Sequence, residues 1–312
     1  MTAHMYNKIT VYENQHLKQY YLNVGGKILH NFPLEPDAIE VLFGQKSERM
    51  QLSPRIKNKA LYRMLKSCFL PIDNNASAIA QFNNSFNATG KSKNNQFKEK
   101  AHGFGEMIHI AYEILETNMK NQIEGDIFEF GCFTGIGTAK LSLVSNFLNK
   151  KLYGFDSFQG LPDTEIYGEG EQKIIYAEKD YAGSINLVQK NIQIHGIPTN
   201  VKLVEGFFSE TVQPFFEENK DQKIAACFID ADIAKSIDEC LEYVIPRLSV
   251  GSLIIMHEAN DIDNHNVFNK HNLFDTETYE IYSVCNRGDT YEYQSEADIK
   301  DLQGCGIFRK LK

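Results

Sequence analysis

The chain has 312 residues, of which 42% are hydrophobic, and a formal net charge of −9 at pH 7. This length accommodates one large domain, or one domain with an extension. No apolar run reaches about 18 residues, which argues against a transmembrane helix, and the first residues lack the apolar core of a signal peptide. We therefore expect a cytoplasmic protein with no membrane partner.

The charge is distributed unevenly along the chain. Residues 1–100 contain 14 Lys and Arg against 7 Asp and Glu, whereas residues 101–312 contain 18 against 34. A basic segment can attract an anionic substrate such as a nucleotide-linked sugar, or dock on the acidic remainder. A solvated surface explains the pattern equally well. Neither part shows the basic stripe interleaved with aromatic residues that indicates a nucleic-acid partner.

The first hundred residues carry no catalytic motif. Residues 9–22 and 26–32 predict a strand or two, and residues 54–70 predict an amphipathic helix. Residues 73–100 are rich in Asn, Ser and Lys, which is typical of a linker or a lid that orders over substrate. We therefore divide the chain into an N-terminal extension, 1–100, and a catalytic domain, 101–312.

The rest of the chain is organised around residues 125–160. An apolar strand at 127–130 leads into a turn with Gly131, Gly135 and Gly137, and a helix over 138–149 and a second strand at 152–155 follow. Asp156 ends the second strand. In open α/β sheets, ligands bind beyond the carboxyl ends of the strands, and an acid at this place can accept hydrogen bonds from ribose hydroxyls. This unit predicts a cofactor that contains adenosine.

The glycine spacing indicates which cofactor. A dinucleotide fingerprint reads GxGxxG, whereas this chain has GxxxGxG, preceded by Glu129. A carboxylate is unfavourable beside a pyrophosphate but matches a cationic amino group and a sulfonium. The pattern therefore favours S-adenosylmethionine over NAD and makes an NAD-dependent dehydrogenase a distant alternative. Glycines that serve only packing would show the same spacing.

Alternating strands and helices continue to the C-terminus. Helices are predicted over 184–194 and 236–248, and strands over 201–204, 223–229 and 252–256, with 278–285 and 305–311 as an antiparallel edge pair. This alternation predicts an α/β fold with a doubly wound, Rossmann-like, mostly parallel sheet. Three strand tips carry charged or metal-competent groups, namely Asp156, Asp230 with Asp232, and His257 with Glu258 and Asp261.

Five segments carry a resemblance to a known family, in order and at similar spacing: GDIFEFG (125–131), FDSFQGLP (155–162), VEGFFSETV (204–212), FIDADIAKSIDECLEYVIPRL (228–248) and GSLIIMHE (251–258). The sequence resembles the macrocin O-methyltransferase family, the sugar O-methyltransferases of macrolide and aminocoumarin antibiotic pathways. The resemblance implies a class I S-adenosylmethionine-dependent methyltransferase with a divalent cation, Mg²⁺ or alternatively Mn²⁺, near the acceptor hydroxyl.

The same resemblance implies a set of site residues. Glu129 and Gly131 face the methionine part of the cofactor, Asp156 holds the ribose with Ser157 beside it, and three residues surround the adenine: Phe207, Phe208 and Ser209. Asp230 is implied as a metal ligand and candidate base that also borders the cofactor. The predicted metal ligands are Asp230, His257 and Glu258, and the predicted catalytic residues are Asp230 and His257.

Two departures from the family pattern affect these expectations. Cys132 to Gly137 replaces a tryptophan and an arginine followed by paired glycines, and the chain has no tryptophan. His257 and Glu258 stand where the family has two adjacent aspartates. Glu258 can still donate an oxygen to Mg²⁺, but imidazole prefers softer metals. The metal is then retained weakly, replaced by Mn²⁺ or another transition metal, or lost, with His257 acting as a base.

We therefore expect an S-adenosylmethionine-dependent O-methyltransferase that acts on a hydroxyl of a sugar or a glycosylated metabolite. Methylation of nitrogen or of a non-sugar acceptor is the alternative within the same class. A catalytically inactive cofactor-binding scaffold is the alternative from another class. Acceptor specificity is expected in loops, here 73–105, 159–180 and 257–277, and homo-oligomerisation stays open.

Overall fold

The computed structural model describes most of the chain from residue 104 onwards and separate pieces before it: residues 2–6, 9–14, 19–24, 27–32, 57–73, 104–163, 165–167, 174–257, 259, 262–284, 290–293 and 305–312. Two compact units divide the chain, residues 1–79 and 80–312. Their boundary falls inside the predicted linker or lid, 73–100, which lies outside the described residues beyond Asp73.

The first unit contains a four-stranded antiparallel sheet in the order β1-β2-β3-β4 (Thr2–Tyr6, Ile9–Asn14, Gln19–Val24 and Lys27–Phe32) and helix α1 (Lys59–Asp73). Within the predicted segment 9–22, the structure describes β2 and the first part of β3. The predicted helix starts later than expected, since the side chain of Asn58 accepts a hydrogen bond from the Leu61 N–H and caps its first turn.

The second unit is built on an eight-stranded sheet. Its strands, in chain order, are β5 (Asp126–Phe130), β6 (Leu152–Asp156), β9 (Val201–Glu205), β10 (Ile224–Ile229), β11 (Leu248–Met256), β12 (Tyr279–Val284), β13 (Thr290–Tyr293) and β14 (Cys305–Lys310). A separate hairpin pairs β7 (Glu165–Tyr167) with β8 (Ile174–Tyr176). The helices are α2 (Phe104–Asn121), α3 (Ile136–Phe147), α4 (Ile185–His195), α5 (Phe208–Glu218), α6 (Ala234–Val244) and α7 (Ile262–Lys270).

The strand order is β13-β12-β14-β11-β10-β5-β6-β9. The five strands from β11 to β9 are parallel, and β14, β12 and β13 add an antiparallel edge. This architecture confirms the predicted Rossmann-like fold with antiparallel C-terminal strands. β13 extends that edge and was absent from the prediction.

The sheet is covered by helices, and its central strand is buried on both faces. Every residue of β10 is buried, which explains its uninterrupted apolar sequence. Along β5, Phe128 and Phe130 pack with the aromatic residues of α5. Because successive side chains of a strand point to opposite faces, Glu129 points the other way, towards α3. The alternation therefore places one carboxyl beneath the helix that follows the glycine turn.

Five of the six cysteines lie buried and form no disulfide: Cys68, Cys132, Cys227, Cys240 and Cys305. The sixth, Cys285, lies outside the described residues. In the described part of the chain, no helix combines the length and the apolar character needed to cross a membrane.

Candidate functional site

The carboxyl ends of four neighbouring strands bring the predicted site residues to one edge of the sheet. Phe130 at the end of β5 is in register with Phe155 of β6 and with Ile229 of β10, which in turn pairs with Met256 of β11. The residues that follow these strand ends therefore lie side by side. This edge is where ligands bind in open α/β sheets.

The glycines of the first turn are required by packing. Gly131 has a φ of +94°, and a Cβ added to it would lie 1.9 Å from the carbonyl oxygen of Asp230. Gly135 has a φ of +80° and precedes α3, and its added Cβ would lie 2.8 Å from the Cα of Val188. Only glycine fits such contacts without a shift of the backbone. The predicted contact of Gly131 with a cofactor stays a prediction.

Asp156 ties the glycine turn to the end of β6. Its Oδ2 accepts hydrogen bonds from the N–H groups of Cys132 at 2.7 Å and Phe133 at 2.9 Å, and its Oδ1 accepts one from Phe158 at 2.6 Å. Burial raises the pKa of Asp156, and these three hydrogen bonds oppose the rise. A carboxylate offers about four acceptor positions, so the protein leaves capacity for one ligand hydroxyl. The predicted ribose contact is compatible with this geometry and remains a prediction.

Ser157 serves the turn that follows Asp156. Its hydroxyl donates to the carbonyl oxygen of Gly160 at 2.7 Å and accepts from the N–H of Gln159 at 3.0 Å. Such local side-chain bonds stabilise a turn. The structure thus assigns Ser157 a role in shaping the loop, and its predicted position beside a cofactor remains a prediction.

Glu129 is a buried carboxyl with an unsatisfied oxygen. The residue is 1% exposed, and its Oε2 has no hydrogen-bond partner. Burial raises its pKa to about 8, the charges of Asp230 and Asp156 add to the rise, and the side chains of Thr138 and Cys132 oppose it. An unpartnered buried carboxylate is costly and is complemented by positive charge. Glu129 therefore fits a cofactor that carries an amino group and a sulfonium.

The loop after β9 joins the same edge. The N–H of Gly206 donates to the carbonyl oxygen of Asp156 at 3.0 Å. Phe207 precedes α5, and Phe208 packs edge-to-face on Phe130 with ring centroids 5.8 Å apart, so its ring belongs partly to the core. Ser209 is exposed in the first turn of α5. The predicted adenine contacts of these three residues stay predictions.

Asp230 and His257 form a pair at the ends of β10 and β11. Their Oδ1 and Nδ1 atoms lie 3.3 Å apart, with the histidine side chain 34% exposed and the aspartate 37%. The backbone N–H of His257 donates to the carbonyl oxygen of Ile229, and this hydrogen bond holds the two strand ends together. The two predicted catalytic residues thus meet at a solvent-accessible position.

The predicted metal site is only partly described. Glu258 and Asp261 lie outside the described residues. Among the residues that are described, no group of three or more His, Cys, Asp or Glu side chains could hold a metal ion. Asp230 and His257 supply two donors, fewer than a divalent cation needs from a protein cage. The divalent cation stays a prediction.

Asp232 has a strained backbone beside Asp230. Its φ is +59°, a conformation that is uncommon outside glycine. Helix α6 begins at Ala234, and Ile233 at its N-cap position makes no side-chain capping hydrogen bond. Backbone strain of this kind clusters at functional sites.

Two aromatic residues at this edge were missed by the sequence analysis. Phe133 and Tyr181 have φ values of +48° and +58°, and their rings meet edge-to-face with centroids 5.7 Å apart. Phe133 follows Gly131 in the turn, whereas Tyr181 comes from the loop before α4. No local pattern relates the two residues, because only the fold brings them together.

Comparison with known proteins gives one family match. The profile of a family described as macrocin-O-methyltransferase (TylF) matches residues 38–275. A curated protein of Streptomyces olivaceus, 8-demethyl-8-(2,3-dimethoxy-alpha-L-rhamnosyl)-tetracenomycin-C 4'-O-methyltransferase, is 22% identical over 151 residues, which cover 46% of this chain and 56% of the relative. The match therefore spans only about half the length of that relative.

Solved structures share the fold. The O-methyltransferase NovP superposes with a TM-score of 0.50 at 17% identity, covering 67% of this chain and 81% of NovP. CalS11, a calicheamicin methyltransferase, also superposes with a TM-score of 0.50 at 16% identity. This superposition covers 82% of this chain and 93% of the CalS11 chain. At these identities the likeness shows a common architecture.

Proposed function

The chain belongs to the macrocin O-methyltransferase family, and we propose that it transfers a methyl group from S-adenosylmethionine to a hydroxyl of a sugar or glycosylated small molecule. The observation that carries this proposal is the convergence of two features at one sheet edge. A glycine turn is fastened by Asp156, and the Asp230–His257 pair lies beside it. The first suits a cofactor and the second suits the activation of an acceptor.

Four residues of this chain would hold the cofactor. Asp156 has one acceptor position left for a ribose hydroxyl, and the loop at Phe207 and Phe208 joins the same edge. Glu129 lies buried beneath the glycine turn, and a cation bound above it would favour the ionised form of its carboxyl. When bound, S-adenosylmethionine supplies a methyl group on a positively charged sulfur.

The Asp230–His257 pair would take the proton of the acceptor hydroxyl. An alcohol is a weak nucleophile at neutral pH and needs a base or a metal ion. In the tautomer that donates Nδ1–H to Asp230, the Nε2 of His257 carries a lone pair that can accept this proton. Asp230 orients the ring and stabilises the imidazolium that forms. Removal of the proton would make the acceptor oxygen a stronger nucleophile, and a bound S-adenosylmethionine would supply the methyl group together with a neutral sulfur leaving group.

A divalent cation is a separate part of the proposal. Asp230 and Glu258 would each supply an oxygen, and His257 would favour Mn²⁺ over Mg²⁺ because imidazole suits transition metals. The contact of His257 with Asp230 favours a proton acceptor over a second metal ligand. Activity assays with Mg²⁺, with Mn²⁺ and with EDTA decide between these roles.

The names of two similar proteins support a sugar as the methyl acceptor. The protein from Streptomyces olivaceus carries an α-L-rhamnosyl compound in its name, and CalS11 is described as a calicheamicin methyltransferase. For this chain, the acceptor is proposed as a sugar hydroxyl of a glycosylated metabolite or a nucleotide-linked sugar.

The first test is calorimetric binding of S-adenosylmethionine and S-adenosylhomocysteine, followed by mass spectrometry of candidate glycosides incubated with enzyme and cofactor. We expect micromolar binding and a mass gain of one methyl group. Asp230→Asn should reduce product formation far more than it weakens cofactor binding, and exposed Asp163→Asn is the matched control. Absence of binding would refute the proposal. Binding without turnover of any glycoside would favour a non-sugar acceptor or a cofactor-binding scaffold.

A further inference from the structure

Phe133 and Tyr181 form an aromatic pair with a strained backbone beside the glycine turn. Both residues have positive φ values, which are unfavourable for a residue with a Cβ. Asn, Asp or Gly would adopt this conformation more readily. The chain nevertheless places two half-buried aromatic rings there. An observed outlier of this kind points to a role for the side chains.

The main chain of Phe133 is held on both sides. Its N–H donates to Oδ2 of Asp156 at 2.9 Å. Its carbonyl oxygen lies against Gly183, where an added Cβ would approach to 1.8 Å. These contacts fix the backbone position and therefore the direction of the ring. The ring of Phe133 is thus preorganised in the loop that would receive the cofactor.

The loop that carries Tyr181 is equally constrained. The carbonyl oxygen of Asp180 accepts a hydrogen bond from the N–H of Leu161 at 3.0 Å, in the loop after Asp156. In helix α4, Nδ2 of Asn191 donates to the carbonyl oxygen of Thr134 at 2.7 Å. The Tyr181 loop is therefore fastened to the glycine turn and to the Asp156 loop, and its ring is held against Phe133.

Charge favours a cation at this place. Glu129 lies beneath the same turn, with an Oε2 that has no hydrogen-bond partner, and aromatic rings attract cations through their electron-rich faces. A buried carboxyl and an aromatic ring thus favour the same sign of ligand charge from independent groups. The positive charge nearest to the reaction in S-adenosylmethionine is its sulfonium.

We propose that Phe133 contacts the sulfonium of the bound cofactor through its ring and that Tyr181 is a positioning residue that holds this ring edge-on. This inference rests on the proposed function. It predicts discrimination between two ligands, because S-adenosylhomocysteine has a neutral sulfur but keeps the amino and carboxyl groups. A ring that served packing alone would affect both ligands alike.

The test is calorimetric binding of both ligands to wild type, Phe133→Asn and Phe133→Trp. Asn tolerates the left-handed backbone and keeps the N–H that binds Asp156, so the turn should survive. We expect Phe133→Asn to weaken S-adenosylmethionine by about 2- to 30-fold and S-adenosylhomocysteine clearly less. Phe133→Trp should retain the preference for the charged ligand. Tyr181→Asn should also weaken S-adenosylmethionine more than S-adenosylhomocysteine. Tyr181→Phe, which keeps the ring, should leave the ratio of the two affinities as in the wild type.

The outcomes separate this inference from the proposed function. Equal weakening of both ligands by Phe133→Asn, or no weakening of either, would overturn the sulfonium contact while leaving a methyltransferase in place. Failure of the wild-type protein to bind either ligand would overturn the proposed function and the contact together. Urea unfolding of each variant confirms that it is folded before its affinities are compared.

Discussion

The side chain of Asp156 and the main chain of Cys132 are joined by a 2.7 Å hydrogen bond between two neighbouring strand ends. The same carboxylate also binds Phe133 and Phe158. The acid that the sequence marks as a ribose ligand is therefore also a structural clamp on the glycine turn. Its removal should affect both the stability of the fold and the binding of a ligand.

Asp156→Ala should lower the free energy of unfolding by about 2–4 kcal/mol, because three N–H groups lose a charged acceptor. Asp156→Asn should lower the free energy of unfolding by less, since its amide oxygen can still accept hydrogen bonds. Urea unfolding measures both changes, and Asp163→Ala is the control, because its exposed ion pair with Lys235 contributes little. Unchanged stability of Asp156→Ala would show that the carboxylate serves only a ligand.

Glu129 should make stability depend on pH. Its pKa in the folded protein, about 8, lies above the ordinary value of 4.5, so the folded state holds the proton more tightly than the unfolded state. Its contribution is fully present below pH 4.5 and is lost as pH rises towards 8. We expect the free energy of unfolding of the wild type to fall by about 2–4 kcal/mol between pH 5 and pH 8.5 because of Glu129. Glu129→Gln should remove this part of the fall, and urea unfolding measures it.

Asp156 also has a raised pKa, so wild type and Glu129→Gln must be compared at each pH to isolate Glu129. Parallel curves for the two proteins would contradict the assignment. Saturating S-adenosylmethionine should flatten the wild-type curve if the bound cation stabilises the ionised carboxyl, and it should leave Glu129→Gln unaffected in this respect.

Asp230 and His257 should act as one unit. Replacing His257 by Ala should lower the rate of methyl transfer by about 10²–10⁴-fold, the range for loss of a general base. The double variant Asp230→Asn/His257→Ala should be little slower than His257→Ala, since Asp230 acts through the ring it orients. His195→Ala, at the end of α4, is the control. Additive losses measured in single-turnover assays would indicate independent roles.

Gly183→Ala should disturb the glycine turn from a distance. The new Cβ would lie 1.8 Å from the carbonyl oxygen of Phe133, so one of the two loops must move. We expect a loss of about 1–3 kcal/mol in stability together with weaker binding of S-adenosylmethionine. Ala182→Ser changes the neighbouring position without this clash. Normal binding by Gly183→Ala would show that the position of the turn is less critical than the contacts imply.

The parallel core was predictable because its signals are local. The apolar run of β10 predicts a strand buried on both faces, and the structure confirms it. The strand β13 was missed because its sequence, TYEY, carries alternating polarity over only four residues and depends on pairing with β12. The hairpin of β7 and β8 lies in a predicted loop for the same reason.

The sequence predicts which positions form the site, but it does not predict the contacts that those residues make. Asp156, Asp230 and His257 follow strands, so the fold alone places them at one edge. The bond from Cys132 to Asp156 and the packing of Phe133 on Tyr181 join residues far apart in sequence. Such contacts depend on how loops pack against one another, and local sequence patterns do not specify this packing.

Gly131 packs so closely on the carbonyl oxygen of Asp230 that an added Cβ would lie 1.9 Å from it, and this contact links the two halves of the site. Because the two segments are in direct contact, we expect a ligand that shifts the end of β10 to shift the glycine turn as well. Binding free energies that are linked in this way are reciprocal. An acceptor that tightens the enzyme's grip on its methyl donor is therefore itself held more tightly, by the same factor, once the donor is in place.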